Sequence, residues 1–336
     1  MEMMRAVVSY GASQPLKLEQ RPVPAIGPDD LLLKIERCGI CGSDLHAHDF
    51  LESRGAAGSI LGHEISGTIA KMGEAVSGFS VGKRIIVYTA IGCGKCKACQ
   101  VGNATICPEA QWVSGGYAEY IRVPAAAAIA LPGEMTPAQA GIVEPLAVSL
   151  YGLRVGGLTA GETILVLGAG SIGLAAIWWA KRLGAKRIVC MSRSARRADM
   201  ALAMGADAFV AYNADEIAEV KAALGGAPDV VAECIGVTGG LEKAVAHAGL
   251  FGRVVSLGLG AKPDPVIPAA AGMKGVSIHF PVGYSMDDFR ETARAVLDSD
   301  TDPQIMISSV ISLEEVPEMF ASLLGSHNQT KVHIAP

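Results

Sequence analysis

A chain of 336 residues is long enough for two domains with two sizeable hydrophobic cores. Half of its residues are hydrophobic, 18% are charged and 40 are glycine, a composition suited to a glycine-turned α/β protein with buried strands. A net charge of −5 with no basic stripe argues against nucleic acid or an anionic membrane surface as a partner.

The N-terminal run MEMMRAVVSYGASQP has no apolar core and no cleavage-like site, so the eight cysteines are expected as reduced thiols in a cytoplasm. From there to about residue 145, short apolar stretches at 6–10, 31–35, 67–71, 84–88 and 118–123 are separated by Gly, Pro and Asp clusters. They predict a β-rich half with few helices. Within it, Cys93, Cys96 and Cys99 form a CxxCxxC cluster and Cys107 follows after seven more residues. Four soft thiolates on so short a segment can close a tetrahedral shell around one Zn²⁺ and leave no position open to substrate. Disulfide pairing conflicts with a reducing compartment, and an iron–sulfur cluster conflicts with the spacing, because ferredoxin-type runs place their last cysteine closer.

From about 149 to 279, strand-like runs at 164–167, 187–191, 208–211, 229–233, 253–257 and 276–280 alternate with helical patterns such as 195–204. This alternation predicts a doubly wound parallel sheet of the Rossmann type, wound by right-handed crossovers. The apolar run 164–180 matches a membrane span by length alone; its glycines split it into a buried strand, a tight turn and a helix start, and no membrane partner is expected. A helix is predicted at 287–298, in a tail too short to be a domain, which is expected to rejoin the first half. The expected domains are therefore 1–148 with 280–336, and 149–279.

Gly168, Gly170 and Gly173 form GAGSIG directly after TILVL and before LAAIWWAKRLGA. In that context the first glycine permits the turn, the second lets the backbone approach a pyrophosphate and the third lets helix pack on strand. Ser171 and Ile172, at the helix start, would offer backbone N–H groups to the anion. The second strand ends at Ser192 and Arg193, where an NAD binder places an acidic residue. Ser192 can donate to a 2′-phosphate and Arg193 can pair with it, with Arg196 and Arg197 close by, so NADP is expected over NAD.

Residues 39–46, GICGSDLH, carry a thiol at Cys41, a hydroxyl at Ser43, a carboxylate at Asp44 and an imidazole at His46, and GHE follows at 62–64. With the four-cysteine lobe, GAGSIG, Glu144-Pro145 and MGEAVSGFSVGKRI, the sequence resembles the zinc-containing medium-chain dehydrogenase/reductase family over essentially its full length. EPLAVSL after GIV is most similar to the polyol, butanediol and threonine dehydrogenase branch. The resemblance implies a GroES-like catalytic domain carrying two Zn²⁺ per chain, a Rossmann domain for the cofactor and an active site in the cleft. It also implies pairing at the edge of the sixth strand into a homodimer or homotetramer.

By the same resemblance, Cys41 and His63 bind the catalytic zinc, and either Glu64 or Glu144 supplies a third ligand. Asp44 would fix the tautomer of the ligand imidazole, and Ser43 would pass a proton through the cofactor ribose toward His46. Gly42 stands where some relatives carry a basic pyrophosphate contact, a duty that would pass to Lys331. Phe50, Trp112 and Phe280 are candidate pocket residues. The implied reaction is hydride transfer between NADP(H) and a secondary alcohol, diol or polyol and its ketone. A sugar-phosphate or amino-acid dehydrogenase is the alternative within the family, although 48–60 offers it only Asp49, Glu52 and Arg54. A zinc-independent reductase would lack both metal sites, and a non-catalytic NADPH-binding protein would not need Ser43 and His46. Cys38, three before Cys41, has no thioredoxin-like unit around it to make a redox pair. His48, His247, His279, His327, His333, Trp178, Trp179, Cys190 and Cys234 are read as structural.

Overall fold

Strand Asp30–Ile40 is the spine of the first unit in this computed structural model, which describes residues 2–50 and 55–336. Residues 51–54, among them Glu52 and Arg54, and the side chain of Phe50 lie outside the described residues. The spine pairs antiparallel with Glu64–Met72, Lys331–Ile334 and Tyr120–Pro124. Arg84–Val87 and Ala128–Ala130 extend the sheet on one side, and Ile307–Ile311, parallel to Lys331–Ile334, closes it on the other. A separate sheet joins Lys17–Pro22, Met3–Ser9 and Ser59–Ile60. The expected β-rich half is thus present.

Side chains along the spine do not keep one alternation. Leu31, Leu33 and Ile35 enter the core, and beyond them Cys38 and Ile40 do so instead of the residues in phase. The register shifts between Ile35 and Arg37, and this bulge turns the rest of the strand over. Glu36, at the shift, is tied outside the core by the Thr68 hydroxyl and the Arg84 guanidinium, at 2.6 and 2.9 Å. The turned end carries Gly39 opposite Glu64 and delivers Cys41 at the start of helix Gly42–Phe50. That helix is not foreseen among the few expected for this half, because its residues carry little amphipathic pattern.

The second unit is a six-stranded parallel sheet ordered Ala208–Ala211, Arg187–Ser192, Thr163–Leu167, Val230–Glu233, Arg253–Ser256 and Ser277–His279. The order reverses at Thr163–Leu167, the switch point at which doubly wound sheets bind dinucleotides. Its central strands are buried on both faces and therefore read in sequence as continuous apolar runs. The helical pattern at 195–204 resolves into a 3₁₀ turn, Ala195–Arg197, and a helix, Ala198–Ala203.

The first unit comprises Met1–Glu144, Ser285–Asp298 and Ile307–Pro336, and the second Pro145–Tyr284 and Ser299–Met306. Residues 145–148, 280–284 and 299–306, expected with the first half, group with the second; in the last of these the Thr301 carbonyl accepts from Trp178 Nε1 at 2.9 Å. Helix Met286–Leu297 starts at a reciprocal cap: Ser285 Oγ accepts from the Asp288 N–H, and Asp288 Oδ2 accepts from the Ser285 N–H. Among the described residues, no helix is long and apolar enough to cross a membrane.

Gly39 has no room for a side chain, since a Cβ there would lie 1.8 Å from Glu64 Oε2. Gly39→Ala is expected to lower stability by about 1–3 kcal/mol through overpacking, read as a lower denaturant midpoint at unchanged slope.

Candidate metal centres and dinucleotide site

The four-cysteine lobe hangs between the short paired strands Ala90–Ile91 and Gln111–Trp112. The Sγ atoms of Cys93, Cys96, Cys99 and Cys107 all lie within 4.8 Å of one another. Cys96 and Cys99 are 3.6 Å apart at sulfur. A tetrahedron of thiolates at the usual Zn–S distance has edges of about 3.8 Å, so the donors suit Zn²⁺ and the separation is far too long for a disulfide. Backbone N–H groups of Lys95 and Cys96 lower the Cys93 thiol to about 7, whereas burial and the neighbouring thiols raise Cys99 to about 11, so without a cation the four do not all ionise together. Gly92 makes the packing possible: a Cβ there would sit 2.3 Å from Cys99 Sγ.

The second cluster is assembled from distant segments. Cys41 follows the spine and His63 immediately precedes its neighbour, so the pairing of Gly39 with Glu64 brings Cys41, His63 and Glu64 together. Their donor atoms lie within 4.8 Å of one another. One thiolate, one imidazole and one carboxylate are a donor set that Zn²⁺ accepts, with a fourth position left over. Glu144, the other candidate ligand, is buried in the first turn of helix Val143–Val155 and is not part of this grouping among the described residues.

Asp44 is the hub of the cluster. Its Oδ1 lies 3.3 Å from His63 Nδ1 and accepts from the Gly62 N–H at 3.3 Å. Its Oδ2 accepts from the Cys41 N–H at 3.0 Å and from the Tyr117 hydroxyl at 2.7 Å. Burial pushes the carboxyl pKa up, but the His63 charge and the hydrogen bonds from His63, Tyr117 and Cys41 outweigh it and hold it below the usual range. With Nδ1 turned to Asp44, Nε2 is the imidazole nitrogen available to a metal. Tyr117 is a residue that sequence reasoning missed: nothing in GGYAEY signals that its hydroxyl meets Asp44.

Lys331 has a different immediate task from contacting a pyrophosphate. It is 1% exposed and donates to both oxygens of Glu64 at 2.6 and 2.8 Å and to the Ile40 carbonyl at 3.2 Å. Burial lowers its pKa, yet the charges of Glu64 and Cys41 and the hydrogen bond to Glu64 raise it above the ordinary value. Glu64 therefore stands between this ammonium and the Cys41–His63 pair.

Ser43 and His46 lie three apart on helix Gly42–Phe50, hence on one face, and both are half-buried. His48 is buried, with Nδ1 2.7 Å from Ser9 Oγ and its ring edge-on to Phe320 at 5.4 Å. His333 is buried and held down to about 3, by burial first and then by the charges of Lys331 and Arg37. Cys38 is buried, and burial raises its thiol well above the usual value, which makes it inert. Trp112 and Phe280 are 62% and 65% exposed.

In the second unit Gly168 has φ +98, a backbone that favours glycine. A Cβ at Gly173 would lie 1.8 Å from the Gly168 carbonyl oxygen, whereas one at Gly170 would meet nothing within 4 Å. Gly170 caps helix Ser171–Arg182 without a side-chain hydrogen bond, so the helix start presents N–H groups beside open space, a cradle that suits a pyrophosphate. The Ile172 carbonyl accepts from Ser149 Oγ at 3.1 Å. Ser192 ends its strand and its carbonyl accepts from Tyr212 N at 3.0 Å, while Arg193 is exposed just beyond. Arg197 reaches back to the glycine turn, its guanidinium 3.4 Å from the Ala169 carbonyl.

The family model for the alcohol dehydrogenase GroES-like domain matches residues 27–133, and that for zinc-binding dehydrogenase matches residues 171–298. Sorbitol dehydrogenase of Bacillus subtilis (strain 168) is 32% identical over 270 residues, 76% of this chain and 75% of the relative. The (R,R)-butanediol dehydrogenase of Saccharomyces cerevisiae (strain ATCC 204508 / S288c) is 29% identical over 355 residues, covering 93% of this chain and 92% of the relative. A crystal structure from Sinorhizobium meliloti 1021, described as a zinc-binding dehydrogenase bound to NADP, has a TM-score of 0.90 at 31% identity and covers 100% of both chains. The chain belongs to the zinc-containing alcohol dehydrogenase family, the zinc-type medium-chain dehydrogenases/reductases. It is thus an oxidoreductase of the class that acts on CH–OH donors.

Breaking the Lys331–Glu64 pair would leave a buried carboxylate uncompensated. Lys331→Met is expected to cost about 3–5 kcal/mol in urea unfolding, and adding Glu64→Gln is expected to restore much of it.

Proposed function

We propose that this dehydrogenase transfers a hydride between NADP(H) and a secondary alcohol, diol or polyol and the corresponding ketone. The observation that carries the reading is the grouping of Cys41, His63 and Glu64 with Asp44 behind the imidazole. The names of the sorbitol and butanediol dehydrogenase relatives support the substrate class. Cys41 and His63 hold the catalytic Zn²⁺, and Glu64 is the carboxylate that stands beside them; Glu144 lies outside that grouping. Zn²⁺ bound there supplies a Lewis acid that polarises the substrate oxygen and makes its hydroxyl easier to deprotonate. Ser43 would accept the hydroxyl proton while giving up its own, which is passed on toward His46 and solvent.

The pyrophosphate of the cofactor sits on the N-terminus of helix Ser171–Arg182, with Gly170 admitting it closely. Ser192, Arg193 and Arg197 favour a 2′-phosphate, in keeping with the NADP in the Sinorhizobium structure. The four cysteines hold a second, structural Zn²⁺. Strand Ser277–His279 lies at a sheet edge beside exposed Phe280 and Val282, which supports assembly as a homodimer or homotetramer.

Rates with NADP⁺ and NAD⁺ against secondary alcohols, diols and polyols, with zinc counted per chain, test this reading. Two zincs and no alcohol or ketone turnover would overturn it. A charge-assisted hydrogen bond contributes about 1.5–3 kcal/mol, so Arg193→Asp is expected to lower NADP preference roughly ten- to a hundredfold; unchanged preference removes the phosphate role. Cys99→Ser is expected to lose one zinc and thermal stability before it alters the chemical step. A well-folded oligomer of that variant, dead in hydride transfer, would contradict the division into structural and catalytic zinc.

A further inference from the structure

The residue before His63 is held from two sides. Gly62 has φ +95, and a Cβ on it would lie 2.4 Å from Tyr117 Cδ1 and 2.7 Å from Cys38 Sγ. Its carbonyl accepts from the Gly115 and Gly116 N–H groups, each at 2.9 Å, and from Ser114 Oγ at 3.2 Å. The Tyr117 N–H adds a bond to the Leu61 carbonyl at 3.0 Å. Residues 114–117 therefore form a strap across Leu61 and Gly62, and the strap ends in a ring that is fully buried.

From that position the Tyr117 hydroxyl reaches Asp44, on a different element, at 2.7 Å. Asp44 receives two donors on each oxygen: Gly62 and His63 on Oδ1, Cys41 and Tyr117 on Oδ2. The Cys41 bond is local to the helix start, joining residues three apart. The Gly62 and His63 contacts are long, at 3.3 Å each, and the shortest contact, at 2.7 Å, is the one from the Tyr117 hydroxyl, which comes from a segment distant in the chain.

We propose that Tyr117 is a positioning residue for the open metal site, its hydroxyl locking Asp44 in the orientation that aims His63 at the metal. This rests on the reading that Cys41 and His63 are metal ligands. The strap thus does two things at once: its backbone holds the segment that carries His63, and its side chain sets the carboxylate that orients the imidazole. Phenylalanine would keep the ring packing on Gly62 and lose only the second of these.

The test compares wild type, Tyr117→Phe, Asp44→Asn and Ser114→Ala as zinc-loaded full-length enzymes. Zinc release to a chromogenic chelator has two phases, and the four-cysteine site serves as the internal reference. Partners of ligand residues change metal affinity by about ten- to a hundredfold, so release from the open site is expected to be at least tenfold faster in Tyr117→Phe and faster still in Asp44→Asn. The four-cysteine phase should match wild type, and Ser114→Ala, which removes one bond to the Gly62 carbonyl, should speed release from the open site by clearly less than Tyr117→Phe. With Co²⁺ in the open site, the visible bands of Tyr117→Phe should shift, and kcat should fall at unchanged cofactor KM. Unchanged release and spectrum in Tyr117→Phe overturn the positioning role, as does equal acceleration by Ser114→Ala, which would assign the effect to strap packing. If Tyr117→Phe does not fold, unaltered release in Asp44→Asn overturns the proposal. A wild type that binds no second metal overturns the ligand reading and the proposal together.

Discussion

The register between Asp30–Ile40 and Glu64–Met72 is the constraint from which the open candidate site follows. Without the shift at Glu36, the inward phase of Leu31, Leu33 and Ile35 would continue to Arg37 and Gly39. With it, Cys38 and Ile40 fill the core, while Gly39 faces Glu64 and the strand delivers Cys41 beside His63. The third strand at this junction, Lys331–Ile334, pairs Val332 with Ile40 and brings Lys331 onto Glu64. The alternation change follows from the bulge at Glu36, and the close approach of Glu64 to Gly39 and the buried ion pair lie at the strand end beyond it.

The two candidate zinc sites differ in how they are built, and this decides how far each can be read from sequence. The four thiols sit on one short segment, so their spacing alone predicts their convergence. Cys41, His63 and Glu64 meet only through strand pairing, and their roles came from resemblance to a family. The Rossmann unit was legible for another reason: strands buried on both faces read as apolar runs, and GAGSIG lies between the first strand and helix Ser171–Arg182.

What stayed hidden depends on contacts between residues far apart in the chain. Glu64 and Glu144 are equivalent as letters, and only the pairing of Gly39 with Glu64 separates them. Lys331 reads as a basic residue near the end of the chain, and the sequence has no signal that its ammonium is enclosed with Glu64 more than two hundred and sixty residues away. Ser299–Met306 groups with the second unit through contacts such as the Trp178 indole N–H to the Thr301 carbonyl, which leave no periodic trace in the sequence.

Lys331 and Tyr117 have in common that each is almost wholly buried and each gives its polar group to a carboxylate of the open site. A buried hydroxyl or charge left unpaired costs about 1–3 kcal/mol or more, so folding favours the arrangement in which Glu64 and Asp44 are held in place. The orientation of the candidate metal-binding groups is in this way enforced by core stability. A preorganised site loses less rotational freedom on binding its cation and tolerates less distortion from it. Substitutions at Tyr117 or Lys331 should therefore couple stability to ligand geometry, whereas substitutions in the four-cysteine lobe should act on stability with the geometry of the open site intact.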